Sequence, residues 1–162
     1  MTITKVLVPS GVLGLGFDIE ALKHGIKNKP DIISIDGGST DSGPASLGSG
    51  TSKYSRAAIK SEWKTLMQAR KEANVPLIIG TCGTCGTNSM VDWMEEITIE
   101  LAEELGQSLK IAKLYCEQNI DFLKNKFKIN KIFPLEPAPT LNVHLLDDLS
   151  HVVALAGAEQ VI

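Results

Sequence analysis

Short apolar runs, each closed by a glycine- or proline-containing turn and followed by a helical stripe, recur along this chain. Val6-Leu7-Val8, Ile32-Ile33-Ser34-Ile35 and Leu77-Ile78-Ile79 are too short for helices and rich in β-branched residues. They read as buried parallel strands, with Leu109 to Leu114 as a fourth candidate. Between them the apolar period lengthens. A helix is expected from Asp18 to Lys27 with Asp18 as N-cap. Ser55 opens a second, whose Ile59, Trp63, Leu66, Met67 and Ala73 share one stripe and which ends near Asn74. Ser89 and Asp92 have the spacing of a capping box for a third, which buries Met90, Met94, Ile97, Leu101 and Leu105 and stops at Gly106. Asn119 to Lys128 reads as a basic, partly amphipathic helix, and Leu146 to the last residue as a final one. Three prolines between Phe133 and Pro139 exclude helix and central strand there.

This order of strand, loop and helix predicts an α/β fold over 1–162 as a single domain. The sheet is expected to be mainly parallel with helices on both faces, a Rossmann-like three-layer arrangement. A chain of 162 residues buries about 70% of its unfolded surface, enough for a core of its own. The net charge of −3 is spread along the helices without a basic run, which argues against nucleic acid or an anionic membrane as partner. The first apolar stretch is too short for a signal peptide, and no run approaches a membrane span. Three cysteines suit a reducing compartment better than a disulfide framework, so a cytoplasmic location is expected. The segment from Ser150 to Ile162 is apolar to its final residue. Either it breaks off inside an element, or another chain covers it in a homo-oligomer or with a complementary subunit.

Two glycine-rich loops carry the candidate chemistry. Asp36-Gly-Gly-Ser-Thr-Asp41 follows the second strand and Gly80-Thr-Cys-Gly-Thr-Cys-Gly86 the third. Turns after the strands of an open α/β sheet share one edge, where ligands bind. Asp36, at the end of a buried strand, is partly desolvated, which tends to raise a carboxyl pKa, whereas Asp41 sits on a polar loop and stays ionised. Two carboxylates in unlike settings suit acid/base chemistry near neutral pH. Ser39 and Thr40 add hydroxyls, and Gly37 and Gly38 admit close approach of a ligand. The structural alternative is that both aspartates close Asx-turns. Gly80, Thr81, Cys82, Gly83, Thr84, Cys85 and Gly86 precede a helix start, an arrangement that offers amides and hydroxyls to a carboxylate, phosphate or oxyanion. It matches neither a P-loop nor the dinucleotide fingerprint, and the structural alternative is a tight strand-to-helix turn with no ligand. Ser10 and Gly11, after the first strand, fall on the same edge, and Lys53 and Arg56 at the mouth of the second helix either hold an acidic substrate group or form a solvated helix start. Cys82 and Cys85 are read as reduced and metal-free, since Cys116 is the one further thiol and no fourth ligand is evident. His24 and His144 read as surface residues and His151 as a core or interface histidine. No cofactor is assigned.

The blocks Asp31 to Pro44, Leu47-Gly48, Lys53-Tyr-Ser-Arg56, Pro76 to Gly80 and the Gly80 to Gly86 loop resemble the amino-terminal part of the acyclic terpene utilisation (AtuA-like) family. The likeness continues through Pro134 to Pro139 and His151 to Gln160. It implies a metabolic protein, an enzyme or enzyme subunit for a small carboxylate or acyl compound, and it implies that members extend further than this chain. It assigns no catalytic residue. Two other classes stand beside it. One is a non-catalytic binding or scaffolding subunit, suggested by the apolar terminus. The other is a phosphate loop of the actin-like or sugar-kinase kind, resembled by Ile35 to Thr40, although the residues after Asp41 cannot form the hairpin strand that such a loop requires.

Overall fold

The structure is a computed structural model, and it describes residues 3–38, 44–138 and 140–161. The fold is α/β. β1 (Val6–Leu7), β2 (Ile32–Asp36) and β3 (Leu77–Gly80) form one parallel sheet in the order β1-β2-β3. Register is set by Val6 opposite Ile32 and by Ile33 to Asp36 opposite Leu77 to Gly80. The crossovers are α1 (Ile19–Lys27) and α3 (Arg56–Ala73), with a short α2 (Ala45–Ser49) ahead of α3. α4 (Asn88–Leu105) and α5 (Ile120–Lys128) follow the sheet.

Local chemistry explains most boundaries. Asp18 accepts hydrogen bonds from the amides of Glu20 and Ala21 at the start of α1, and the Ser55 hydroxyl accepts from Ala58 at the start of α3. Asn74 and Gly106 end α3 and α4 in the left-handed conformation. The core lies on one face of the sheet. Ile33 and Ile35 of β2 are buried against Ile59, Trp63, Leu66 and Met67 of α3, Met94, Ile97 and Leu101 of α4, and Leu22 of α1. α1 and α4 each pack on α3. The alternate residues Ile32 and Ser34, on the other face of β2, are only partly covered. Among the described residues, no helix is long and apolar enough to cross a membrane.

Between β2 and α3 the chain forms α2 and turns at Gly50 in the left-handed conformation. Three expectations need correction. The Ser89–Asp92 capping box does not form, because α4 starts at Asn88 after Thr87, which leaves Ser89 inside the helix. Leu109 to Leu114 joins no ladder among the described residues. The chain after Leu146 is not a helix. It holds two 3₁₀ turns, Leu145–Asp147 and Ala158–Gln160, around an extended stretch in which Val153 bridges Glu117 antiparallel. Val152 and Val153 are β-branched, and two backbone bonds to the chain at 116–118 reward the extended form.

The turns after β2 and β3 touch through backbone. The Gly37 amide donates to the Gly80 carbonyl at 2.6 Å and the Thr84 amide to the Gly37 carbonyl at 3.1 Å. A β-carbon on Gly37 would stand 2.6 Å from the Gly80 oxygen, and one on Gly38, at φ +145°, would collide with the Thr84 backbone. Gly48, inside α2, has nothing within 4 Å of its β-carbon position. Gly37→Ala is therefore expected to lower unfolding stability by about 1–3 kcal/mol, and Gly48→Ala to raise it by about 0.4–1 kcal/mol. Urea unfolding of the two variants checks the opposed signs.

Candidate functional site

The three post-strand turns are stitched into one surface at the carboxyl edge of the sheet. The Leu13 amide, after β1, donates to the Asp36 carbonyl at 2.8 Å, and Gly37 is bonded in turn to Gly80 and Thr84. Asp36 and the Gly80 to Gly86 loop thus share one edge. The Asp36 side chain accepts from the Gly38 amide at 2.9 Å, which is the Asx-turn arrangement. Ser39, Thr40 and Asp41 lie outside the described residues.

The Gly80 to Gly86 loop is a strained one. Thr81 has φ 47° and Thr84 φ 71°, a region that β-branched residues rarely occupy and that concentrates at functional sites. Gly83 and Gly86 are also left-handed. Thr84 is buried, and its hydroxyl accepts from the Lys53 amide at 3.1 Å, so Lys53 is held at the loop. Its Nζ stands 5.8 Å from the Tyr54 ring centre. Arg56 goes elsewhere: both terminal nitrogens bind the Glu100 carboxylate of α4, one at 3.1 Å. Arg56 and then Lys60 hold the Glu100 carboxyl down to about 2. The expected Lys53–Arg56 pair for a substrate anion is therefore not assembled, because α4 presents Glu100 across from Arg56. The Ser10 hydroxyl closes a local turn with Val12, at 3.2 and 3.3 Å, and a β-carbon on Gly11 would meet nothing within 4 Å. Amides farther along that loop already have an anion. Gly14 and Gly16 donate to the two carboxylate oxygens of Glu62, at 2.7 and 2.8 Å.

The start of α4 also has a protein anion. Its first amide, Asn88, donates to Glu117 Oε2 at 2.9 Å, a contact that suits the positive end of a helix. Glu117 Oε1 lies 2.5 Å from His151 Nδ1. Partial burial pushes the Glu117 carboxyl up, but the bonds from His151 and the Asn88 amide outweigh it and hold the group below its ordinary 4.5. The other ring nitrogen, His151 Nε2, faces Gly50, 2.6 Å from where a β-carbon would stand. Glu117 had no signal in the sequence, and its partner His151 read as a core or interface residue. The pair joins segments 34 positions apart, which local pattern cannot reveal.

Cys82, Cys85 and Cys116 are free thiols. Burial pushes the Cys82 thiol up to about 11, away from thiolate reactivity. Among the described residues no three His, Cys, Asp or Glu side chains gather as a metal site. A cleft of about 1360 Å³ runs from Asp36, Gly38 and Leu47 along β3 to the chain at 108–116 and 153–161. Asn88 Oδ1 is buried with no donor among the described residues. No protein-family model, curated protein or solved structure matches this chain.

Two outcomes follow from these groups. Because the folded Glu117 carboxyl titrates below its ordinary value, its contribution to stability is complete above that value. It is lost as pH falls through the lower folded one. Wild-type unfolding free energy should therefore drop over that acid range, and Glu117→Gln should lack this part of the drop; parallel curves would contradict the linkage. Cys82 should react with iodoacetamide at pH 8 on the order of a hundredfold more slowly in the folded than in the unfolded chain, as peptide mapping would record.

Proposed function

We propose that this chain is a small-molecule metabolic enzyme, or a subunit of one, acting on a carboxylate or acyl substrate by acid/base chemistry at the carboxyl edge of its sheet. The observation that carries this is the Glu117–His151 pair. A carboxylate fixed at a helix start orients an imidazole through Nδ1, leaving Nε2 for a proton beside α2, whose Leu47 lines the same cleft as Asp36 and Gly38. A base positioned by a third group is the general plan of such sites. Asp36 is the second acid/base group in this reading, with Asp41 as its partner, and the strained Gly80 to Gly86 loop holds the substrate's acyl or carboxylate oxygens with Lys53 beside it. Glu117 takes the first amide of α4, so the anion contact rests on the loop itself.

The reading includes an arrangement and a setting. The half-covered face of β2 favours a further helical layer, giving the Rossmann-like three-layer fold. With the sequence likeness, it favours an amino-terminal AtuA-like unit working in the cytoplasm as a homo-oligomer or with a complementary subunit. The alternative, a non-catalytic binding subunit, is favoured by the Asx-turn at Asp36 and the pairing of Arg56 with Glu100.

A thermal-shift screen with acyl-CoAs, hydroxy acids and amino acids separates the two. On the enzyme reading a stabilising compound is turned over, and His151→Asn lowers kcat by about 10²–10⁴-fold with KM little changed. A compound that binds equally to wild type and His151→Asn and is never converted would leave the binding-subunit reading standing.

A further inference from the structure

The cleft along β3 is a slot between two unpaired edges, and its upper end is already occupied. The Ile33 amide donates to the Pro76 carbonyl and the Gly37 amide to the Gly80 carbonyl. Even-numbered residues of β3 therefore aim their backbone groups at β2, and Leu77 and Ile79 aim theirs outward, into the cleft. On the opposite wall, Ala154 donates to the Cys116 carbonyl at 2.8 Å and Gln118 to the Val152 carbonyl at 2.7 Å. Carried down the chain, the same alternation would turn the backbone groups of Ala112 and Leu114 to the slot, and neither has a backbone hydrogen bond to another described residue. Both walls line the cleft.

The segment that begins at Val152 spans this slot at its top. It is bonded to Cys116 and Gln118 on one side, and on the other the Val153 side chain lies 3.6 Å from the β-carbon position of Gly86, in the turn after β3. At that level the segment touches both sides of the slot. Below it the pairing stops and Leu155 is fully exposed. The residues that follow, Ala154-Leu-Ala-Gly-Ala158, are small or apolar, as a narrow slot between strands requires.

We infer that Val153 to Ala158 is a closing strand, which zips down the slot antiparallel to β3 and joins it to the wall at Ala112–Cys116. The existing register, Val153 opposite Glu117, sets the next bonded pairs as Ala156 with Leu114 and, once the 3₁₀ turn in which the Ala158 carbonyl accepts from Val161 opens, Ala158 with Ala112. The odd-numbered residues Leu155 and Gly157 then face the outward groups of Leu77 and Ile79. Closure fills the body of the cleft, leaves the carboxyl edge open, and is anchored at its top by His151 and Glu117.

Hydrogen exchange by NMR on the full chain tests this. The expected result is protection of the Leu77, Ile79, Leu114 and Ala156 amides with a common opening rate. Ala156→Pro, which deletes one predicted donor at a position making no backbone bond here, should lower protection at Leu77, Ile79 and Leu114 by more than tenfold while Ile33 and Ile35 are unchanged. Free exchange of these amides in the wild type, or protection indifferent to Ala156→Pro, would overturn the inference. So would protection that rises with protein concentration, which would assign the strand to a second copy. If Ala156→Pro fails to fold, Ala156→Gly in its place should weaken the same protections in part, and no change there would count against closure.

Discussion

The absence of a β-carbon at Gly37 and Gly38 allows the turn after β2 to lie directly on the backbone of the turn after β3. The Gly37–Gly80 and Thr84–Gly37 bonds occupy space that any larger residue at these two positions would fill. They hold Thr81 and Thr84 in conformations that local preference opposes, and they carry Asp36 to the same edge. Parallel pairing alone would bring the strand ends together. It would not bring the loops into contact, and the candidate site is made of loops.

The parts legible in the sequence are those set by short-range physics. Apolar runs gave β1, β2 and β3, and caps at Asp18 and Ser55, stops at Asn74 and Gly106 and the amphipathic stretch from Asn119 placed four helices to within a residue or two. Where a competing partner lay far along the chain, local reading failed. Ser89 and Asp92 matched a capping box, but Glu117, 29 positions on, caps the Asn88 amide, and Asp92 is taken by Lys113 at 3.0 Å and by the Tyr115 hydroxyl. Arg56 read as a substrate cation until α4 placed Glu100 against it. The apolar terminal segment read as helix because its composition allows it, whereas Val152 and Ala154 find their backbone partners at 116–118.

Glu117 is the residue on which these long-range ties converge. It caps α4, fixes His151, and sits opposite Val153 at the only described bridge outside the sheet. One carboxylate so placed links the helix that leads out of the strained loop with the chain that borders the cleft. Its negative charge is favoured by the helix start and by the imidazole together, which is consistent with its depressed titration.

The measurement that bears most directly on this account is long-range ¹H–¹⁵N NMR of the His151 ring, in wild type and Glu117→Gln, at a pH where the imidazole is neutral. If Glu117 orients the ring, the wild type shows a single tautomer with its proton on Nδ1 and Nε2 open, and the variant shows a mixture. A wild-type ring that already exchanges between tautomers, or one unchanged in Glu117→Gln, would contradict the claim that this pair is the built acid/base element of the site.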